Sequence, residues 1–439
     1  MTKSIHEIRD PIHVFIRLNS QERRVVNSRP FQRLRHIHQL ALTYLVYPSA
    51  THRRFEHSLG VMELAGRVFD VITSQHNVSN DIRSLIEPIQ GELPYWRTVL
   101  RMAALCHDLG HLPFSHAAEK ELLREGWNHE RITRSIIESD EMAAIWSQMI
   151  PPLATTHIVK LALGKKEAKD LEFSNWEAIL SEIITGDAFG VDRIDYLLRD
   201  SHHAGVSYGK FDHYRLIDTL RILPSSRPSD ETGSSEPALG VQEGGLHSAE
   251  AMLLARYFMF SQVYFHRVRR IYDIHLKDFL KERLDGGSFS TQIEDHLRLT
   301  DNEVTAALLE AARRADEPGH LHADRIVNRR HFRLLYERNP DDVKKNPNAG
   351  KSVFDALCAN FGEEHFRHDR FSQTGGAPDF PVELRNGEIV SSFVKSETLN
   401  RIPVVSIDNL FAERSIYEEA QRWFEDNRND IVRPPEKEN

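Results

Sequence analysis

The chain has 439 residues, of which 40% are hydrophobic, and a formal net charge of −9. These values indicate a globular protein with a sizeable core in two or three structural units, and they argue against general nucleic-acid coating, although a local basic pocket is compatible with them. Two cysteines exclude a disulfide framework. We find no apolar run typical of a secretory signal or a membrane span, so we expect a cytoplasmic protein.

The first half of the chain is typical of an all-α protein. From about residue 20 to 222 the apolar residues recur at helical spacing, with few alternating runs. Residues 223–245 are rich in Ser, Pro and Gly and predict a loop or a projecting hairpin tip. Residues 246–280 carry a continuous apolar face and predict one long helix.

The last third of the chain predicts a smaller, mixed α+β region. A helix is expected at residues 302–315, and candidate strands at residues 387–395 and 401–407. We therefore expect a mainly α fold with a catalytic core over residues 1–285. Residues 286–439 would form the mixed region, with an oligomerisation or regulatory role.

The segment LCHDLGHLPFSH (residues 105–116) holds four histidines and an aspartate. The preceding RTVLRMAALC is apolar almost all round, which predicts a buried helix that Pro113 ends. His107 and Asp108 therefore enter the protein interior, where they need a partner charge, hydrogen bonds or a metal. His111 would share a helical face with His107.

A divalent metal is one way to compensate His107 and Asp108. Imidazole and carboxylate groups together suit first-row metals, and two further ligands are available in His57 and Asp192. The alternative for His107 and Asp108 is a solvated or structural pair. Asp192 could equally belong to a charged helix face, since DRIDYLLRD spaces Asp and Arg at helical intervals.

These residues carry a resemblance to a known family. In order, His57, His107, Asp108 and Asp192 resemble the H…HD…D signature of the HD-domain metal-dependent phosphohydrolases. The blocks FQRLRHIHQL, RRFEHSLGV, LCHDLGHLPFSH, WNHE and GVDRIDYLLRDSHHAGV are similar to the deoxynucleoside triphosphate triphosphohydrolases of that superfamily, across about residues 27–280. The resemblance implies an HD-domain helical core.

It also implies the chemistry of the site. The four ligands would hold a divalent metal, one of Mn, Mg, Fe, Zn, Ni or Co, which polarises the α-phosphate and its attacking water. The residues implied in catalysis, as acid or base, orienting group or phosphate contact, are His111, His129, Glu130 and His116.

The resemblance further implies a deoxynucleotide pocket. A tyrosine packed against C2′ would exclude a ribose hydroxyl. The implied substrate-binding residues are Gln39, Leu40, Arg54, Arg193, Tyr196, Asp200, Arg256 and Tyr264.

Three positions depart from the family pattern. Glu119 stands where the closest relatives usually have Asp to support the catalytic histidine, and Phe260 replaces a histidine four residues before the pocket tyrosine. At the family's allosteric guanine site Arg35 matches, but Asn27 replaces an acidic residue and cannot accept two guanine donors as a carboxylate does.

The leading hypothesis is hydrolysis of deoxynucleoside triphosphates to deoxynucleoside and inorganic triphosphate. Two alternatives stay open: an HD-superfamily phosphatase or phosphodiesterase acting on other nucleotides, and a nucleotide-sensing or nucleic-acid-binding protein. The last draws on residues 325–345, which cluster basic and aromatic side chains around Arg329, Arg330 and Arg333, although such a run is more often a solvated helix face. The expected partners are deoxynucleoside triphosphates, a nucleotide activator and further copies of the chain in a dimer or tetramer.

Overall fold

The computed structural model describes residues 5–78, 82, 91–115, 119–225, 236–372 and 376–433. His116 lies outside these residues, as does the tip of the predicted loop at 226–235. The fold is mainly helical, with smaller mixed sheets, as the periodicity predicts. None of the helices in the described ranges combines the length and apolar character that crossing a membrane requires.

The helices of the first half supply most of the core. They are α1 (Ser20–Val26), α2 (Arg29–Arg33), α3 (Arg54–Ile72), α4 (Leu93–Cys106), α5 (Glu119–Leu122), α6 (His129–Ile137), α7 (Asp140–Ser147), α8 (Thr155–Glu167), α9 (Asn175–Thr185), α10 (Val191–Ala204) and α11 (His213–Asp218).

The second half contributes nine further α-helices within the described residues. They are α12 (Leu246–Met259), α13 (Arg267–Arg283), α14 (Ile293–Arg298), α15 (Asp301–Arg313), α16 (His320–Val327), α17 (Pro340–Lys345), α18 (Ala349–Phe361), α19 (Ser392–Lys395) and α20 (Tyr417–Ile431).

The strands form three small sheets. They are β1 (Ile5–Asp10), β2 (Val14–Asn19), β3 (Leu220–Pro224), β4 (Pro237–Gln242), β5 (Arg333–Glu337), β6 (Phe366–Ser372), β7 (Pro381–Glu383), β8 (Ile389–Ser391) and β9 (Ser406–Ala412). The sheet orders are β1-β2, β3-β4-β7-β8 and β5-β9-β6. Strands β3 and β4 are antiparallel, with Leu220 opposite Val241, so the segment at 223–245 is a hairpin rather than a free loop.

Helices α3, α4, α6 and α10 position the candidate site. Helix α3 is buried on nearly all sides, which its run of apolar and small residues from Leu59 to Phe69 permits. Helix α6 starts where the Asn128 side chain accepts a hydrogen bond from the Arg131 amide. Helix α10 ends at Gly205, whose φ of 70° closes the helix in the left-handed conformation.

Several predicted boundaries are wrong. Helix α4 ends at Cys106, well before Pro113, so His107 and His111 do not share a helical face. The predicted long helix at 246–280 is broken by a π-helical turn, Phe260–Tyr264, between α12 and α13. Such a turn shifts the helical register by backbone hydrogen bonding alone, which an apolar face does not reveal.

The two strands expected in the last third occur, with different bounds. The first is only β8, because the chain continues into the short helix α19. The second begins at Ser406 and extends to Ala412, beyond the predicted residues 401–407. The β-branched residues Val404 and Val405 lie before β9 rather than in it.

The chain divides into two compact units. The first comprises Met1–Met259, Ser290–Asn302 and Gly376–Pro403, and the second comprises Phe260–Phe289, Glu303–Gly375 and Val404–Asn439. The core of the second unit includes Tyr336, Val353, Leu357, Leu410 and Phe424. The functional division at residue 285 stays a prediction.

Candidate active site

Four predicted metal ligands meet in the first unit. His57 Nε2 lies 3.0 Å from Asp192 Oδ1 and 3.7 Å from Asp108 Oδ2. His107 Nε2 lies 3.3 Å from Asp108 Oδ1 and 3.5 Å from Asp192 Oδ1. The Asp192 side chain is 38% exposed, whereas Asp108 and both histidines are nearly enclosed, so the cluster opens to solvent on the Asp192 side.

The outer nitrogens of both histidines are already engaged. His107 Nδ1 lies 2.8 Å from the Ala104 carbonyl oxygen, which can only accept, so the Nδ1 proton is donated there. His57 Nδ1 lies 2.8 Å from Asp195 Oδ2 and donates to it. This arrangement directs the Nε2 lone pairs of both rings toward Asp108 and Asp192, as metal ligation requires.

The electrostatics of the cluster call for a cation. Burial opposes the charged form of His57, but hydrogen bonds to Asp192 and Asp195 raise its pKa to about 10. Burial likewise opposes charge on His107, while Asp108 and Asp192 raise its pKa. The two carboxylates thus favour positive charge at the Nε2 atoms of both rings. A divalent metal would supply that charge and neutralise the carboxylates, so the donor set fits such an ion.

A buried network behind His57 escaped the sequence prediction. Asp195 is fully buried and accepts from His57, from His13 Nε2 at 2.7 Å and from Arg199 Nε at 2.8 Å. Arg199 in turn donates to Asp10 Oδ2 at 2.8 Å. The charged residues of DRIDYLLRD that looked like a solvated face thus include a buried ion pair. The i, i+4 spacing of Asp195 and Arg199 was the available signal.

The second histidine pair lies beside the metal cluster. The His111 and His129 rings stack with centroids 4.1 Å apart, and His111 Nε2 lies 3.1 Å from Asp108 Oδ1. His129 Nδ1 donates to Glu119 Oε1 at 2.7 Å and lies 3.2 Å from Glu130 Oε2. Glu119 also accepts from the His129 amide at 2.7 Å, so it orients the ring at two points.

The pKa values of the two rings are shifted in opposite directions. Burial and the charges of Arg54 and His129 hold the pKa of His111 well below its usual value. Burial also opposes charge on His129, but the hydrogen bond to Glu119 raises its pKa. Neighbouring groups with separated pKa values are suited to opposite roles in proton transfer.

The loop after His111 adopts a strained backbone. Phe114 and Ser115 both have a φ of 55°, which is costly for residues other than glycine. Asp301 Oδ1 accepts from the Phe114 amide at 2.7 Å, and Asp301 Oδ2 accepts from the His38 amide at 2.7 Å. Asp301 therefore orders this loop, a role that the sequence prediction missed because the residue is distant in the chain.

The predicted phosphate contact Arg54 lies at the cluster. Its Nη1 donates to Asp108 Oδ2 at 2.5 Å and its Nε donates to Ser115 Oγ at 2.8 Å. Together with His107, Arg54 keeps the pKa of Asp108 well below its usual value, against the effect of burial.

A second group of predicted residues lies around His52. The backbone N–H of Gln39 donates to the backbone carbonyl oxygen of His52 at 3.0 Å. The His52 side chain contacts the other partner, with Nε2 2.7 Å from Asp200 Oδ1. Leu40 is buried next in sequence to Gln39. The structure thus brings Gln39 and Asp200 together through His52, which sequence reasoning did not select.

A third group contains Tyr196 and two arginines. Burial raises the pKa of Tyr196, and the positive charges of Arg193 and Arg256 partly oppose that shift. Arg193 donates to the carbonyl oxygens of Gly186 and Asp187. Tyr264 lies on the π-helical turn and belongs to the second unit.

The residues predicted for an activator site lie near the N-terminus of the first unit. Asn27 is the C-cap of α1. The Arg35 guanidinium lies over the Phe55 ring, 3.5 Å from its centroid, and its Nε donates to Gln32 Oε1 at 2.9 Å. Their role stays a prediction.

Comparison with known proteins gives matches along most of the chain. Family models match an HD domain over residues 54–200 and an HD associated region over residues 211–353. The chain is 36% identical to an uncharacterised protein of Methanocaldococcus jannaschii, over 62% of this chain and 48% of that protein. It is 30% identical to the deoxynucleoside triphosphate triphosphohydrolase SAMHD1 of Gallus gallus, over 86% of this chain and 63% of that enzyme.

A solved structure is similar across nearly the whole chain. It is the crystal structure of a hypothetical protein from Aquifex aeolicus, 33% identical, with a TM-score of 0.77 and coverage of 95% of this chain and 99% of that one. By contrast, the chain spans about half of the archaeal relative and less than two thirds of the chicken enzyme.

The fold, the HD-domain match and a group of His57, His107 and Asp192 that could hold a metal ion, with Asp108 beside it, support a metal-dependent hydrolase of the HD type. The chain belongs to the HD-domain family, with an HD associated region, and is a homologue of the SAMHD1 triphosphohydrolases. The matched HD domain contains His57, His107, Asp108 and Asp192.

Proposed function

We propose that the protein hydrolyses deoxynucleoside triphosphates at the α-phosphate, releasing deoxynucleoside and inorganic triphosphate. The observation that carries this proposal is the position of Asp108, which joins the metal ligands, the His111–His129 pair and Arg54 in one cluster. The name of the chicken relative supports the substrate class.

The proposed metal site consists of His57, His107, Asp108 and Asp192. A divalent metal bound there would lower the pKa of water and neutralise charge on phosphoryl oxygens. Asp195 holds His57 with its Nε2 directed at the site, and the Ala104 carbonyl does the same for His107.

The histidine pair would manage the protons of the reaction. Water adds to the α-phosphorus, and the bond from phosphorus to the 5′-oxygen breaks. His129, whose pKa is raised, holds a proton for the departing 5′-oxygen. His111, whose pKa is held low by burial and nearby cations, can accept a hydrogen bond from the attacking water and orient it. Glu119 orients His129, with Glu130 next to it.

The remaining predicted residues would bind the substrate. Arg54, Arg193 and Arg256 supply cationic, forked donors for the triphosphate, and His116 is proposed as a further phosphate contact. Gln39 Oε1 is buried and has no hydrogen-bond partner within the described part of the chain, so it can accept from the sugar 3′-hydroxyl. Leu40, Tyr196 and Asp200 are proposed to line the nucleoside pocket, in which close packing would exclude the 2′-hydroxyl. Tyr264 stays a predicted nucleoside contact from the family resemblance.

Product analysis tests this proposal. We expect each deoxynucleoside triphosphate, incubated singly and mixed with Mn²⁺ or Mg²⁺, to yield deoxynucleoside and intact triphosphate on chromatography. Asp108→Ala should lose the activity by at least about 100-fold, because it removes a ligand. The exposed Asp70, paired with Arg97, offers a matched control, and Asp70→Ala should keep full activity.

The same experiment separates the alternatives. Monophosphate release or cyclic-nucleotide cleavage without triphosphate production would favour another HD phosphatase or phosphodiesterase. No turnover of any nucleotide by protein with metal bound would leave a nucleotide sensor or nucleic-acid binder. For the last, salt-sensitive DNA binding that is lost on neutralising Arg329, Arg330 and Arg333 is the expected sign. These residues lie in a loop and on β5, not on a helix face.

We also propose that the protein forms a dimer or tetramer and responds to a nucleotide activator. Light scattering at micromolar concentration, with and without mixed nucleotides, measures the oligomeric state and whether nucleotides change it. A monomer in all mixtures would contradict the proposed assembly.

A further inference from the structure

A second cluster of potential metal ligands lies in the second unit. His275 and Asp278 are one turn apart on α13, and His322 lies on α16, which packs against α13. One ligand atom from each residue lies within 4.8 Å of the other two. The cluster shares no residue with the candidate active site.

The two histidines are buried without full hydrogen bonding. His275 is completely buried, and its Nδ1 has no hydrogen-bond partner among the residues that the structure describes. Its Nε2 accepts only a long hydrogen bond, 3.3 Å, from the backbone N–H of Phe332, so the ring proton is on Nδ1 and the weakly engaged Nε2 lone pair is the one that His275 can offer to a metal. His322 is 9% exposed, and its Nδ1 likewise has no hydrogen-bond partner in the described ranges. Buried polar atoms in native proteins are normally satisfied.

The geometry around His322 directs a lone pair into the cluster. His322 Nε2 lies 3.3 Å from Glu282 Oε1, which stabilises the proton on that nitrogen. His322 Nδ1 then faces Asp278 Oδ2 at 3.8 Å. Ligands around a tetrahedral metal are separated by roughly 3.4 Å, given bonds near 2.1 Å, so small side-chain movements suffice.

The charges of the cluster are compatible with a cation. Two carboxylates, Asp278 and Glu282, lie beside His322, and the nearby Arg325 is paired with Glu413 at 2.9 Å. Arg367 Nε donates to Asp278 Oδ2 at 3.0 Å. A carboxylate offers about four lone-pair positions, so Asp278 can accept the hydrogen bond from Arg367 and bind a cation at the same time.

We propose that His275, Asp278 and His322 form a second divalent-metal site, distinct from the active site, which clamps α13 to α16. Two imidazoles and one carboxylate favour Zn²⁺, Co²⁺ or Ni²⁺ and leave a fourth position for water. Glu282 acts as the outer partner of His322. The proposal is independent of the substrate of the active site.

Counting bound cobalt tests the site. The full chain is dialysed against Co²⁺, and cobalt per chain is measured by mass spectrometry together with the visible absorption of tetrahedral Co²⁺. We expect His322→Gln to bind one equivalent fewer than wild type and to lose that absorption component, while nucleotide hydrolysis persists. His320→Gln is the control, because His320 lies on the same helix but bonds to the Ala311 carbonyl.

Asp278→Asn gives an independent reading if His322→Gln does not fold, and it should show the same loss. A further readout is thermal: Zn²⁺ should raise the Tm of wild type more than that of either variant. Equal cobalt counts and equal thermal shifts in wild type, His320→Gln and the folded site variants would overturn the proposal.

Discussion

At the scale of single residues, the candidate site contains two neighbouring histidines whose pKa values are shifted in opposite directions by their surroundings. His111 and His129 stack, and His129 donates a hydrogen bond to Glu119. The carboxylate stabilises the imidazolium, and the enclosed position beside Arg54 destabilises it in His111. The same two residue types thus acquire different chemistry from their neighbours.

Glu119→Gln should move the pH dependence of hydrolysis. His129 is active when protonated, so activity is present below its pKa and is lost as pH rises through it. The hydrogen bond to the carboxylate raises that pKa against the effect of burial. A neutral amide would not, so the basic limb of the kcat profile should move to lower pH.

The exposed Glu125 provides the control for this measurement, since Glu125→Gln should leave the basic limb unchanged. An unmoved or upward-shifted limb in Glu119→Gln would contradict the assignment of His129 as the proton donor.

At the same scale, sequence patterns predicted a set of metal ligands that lie close together but not the residues that support them. His57, His107, Asp108 and Asp192 belong to recognisable local motifs and do meet. Asp195 was missed because its partner His13 lies 182 residues away, and long-range contacts leave no periodic signal.

At the scale of elements, the site depends on close approach of α3 and α10. A Cβ at Gly60 on α3 would overlap the Asp195 carboxylate and lie 2.5 Å from Arg199 Nη2 on α10. The absence of a side chain at Gly60 therefore makes room for the ion pair that holds His57. Helix packing and metal-ligand orientation share this contact.

Gly60→Ala should destabilise the fold by about 1–3 kcal/mol, the usual effect of overpacking a core, and weaken metal binding. Denaturant unfolding and metal titration measure the two effects. Gly91→Ala is the matched control, because a Cβ there meets nothing within 4 Å among the described residues. Equal stability of the two variants would show that α3 and α10 can separate without loss.

At the scale of the whole molecule, the acid response should depend on buried histidines more than on the net charge. The chain carries 24 histidines. Burial and the charge of Arg33 hold the pKa of His296 well below its usual 6.5. The folded state therefore excludes a proton that the unfolded chain binds below pH 6.5, and stability falls as pH decreases from there.

His296→Gln should flatten this dependence. Between pH 6.5 and 5 the free energy of unfolding of wild type should fall more steeply than that of the variant, by up to about 1.4 kcal/mol per pH unit. His247→Gln changes an exposed histidine and should keep the wild-type slope. Identical slopes for all three proteins in urea titrations would rule out His296 as the source.

The sequence by itself determined the helical character and predicted the set of candidate metal ligands, because both depend on local spacing and residue type. Only the tertiary structure decided where α4 ends, that a π-helical turn divides α12 from α13, and that Asp195, Arg199 and Asp301 are buried supports rather than surface charges. The physical reason is that burial of a charge depends on partners brought from distant parts of the chain. A carboxylate that is solvated in one fold is paired in another, and local sequence does not distinguish the two.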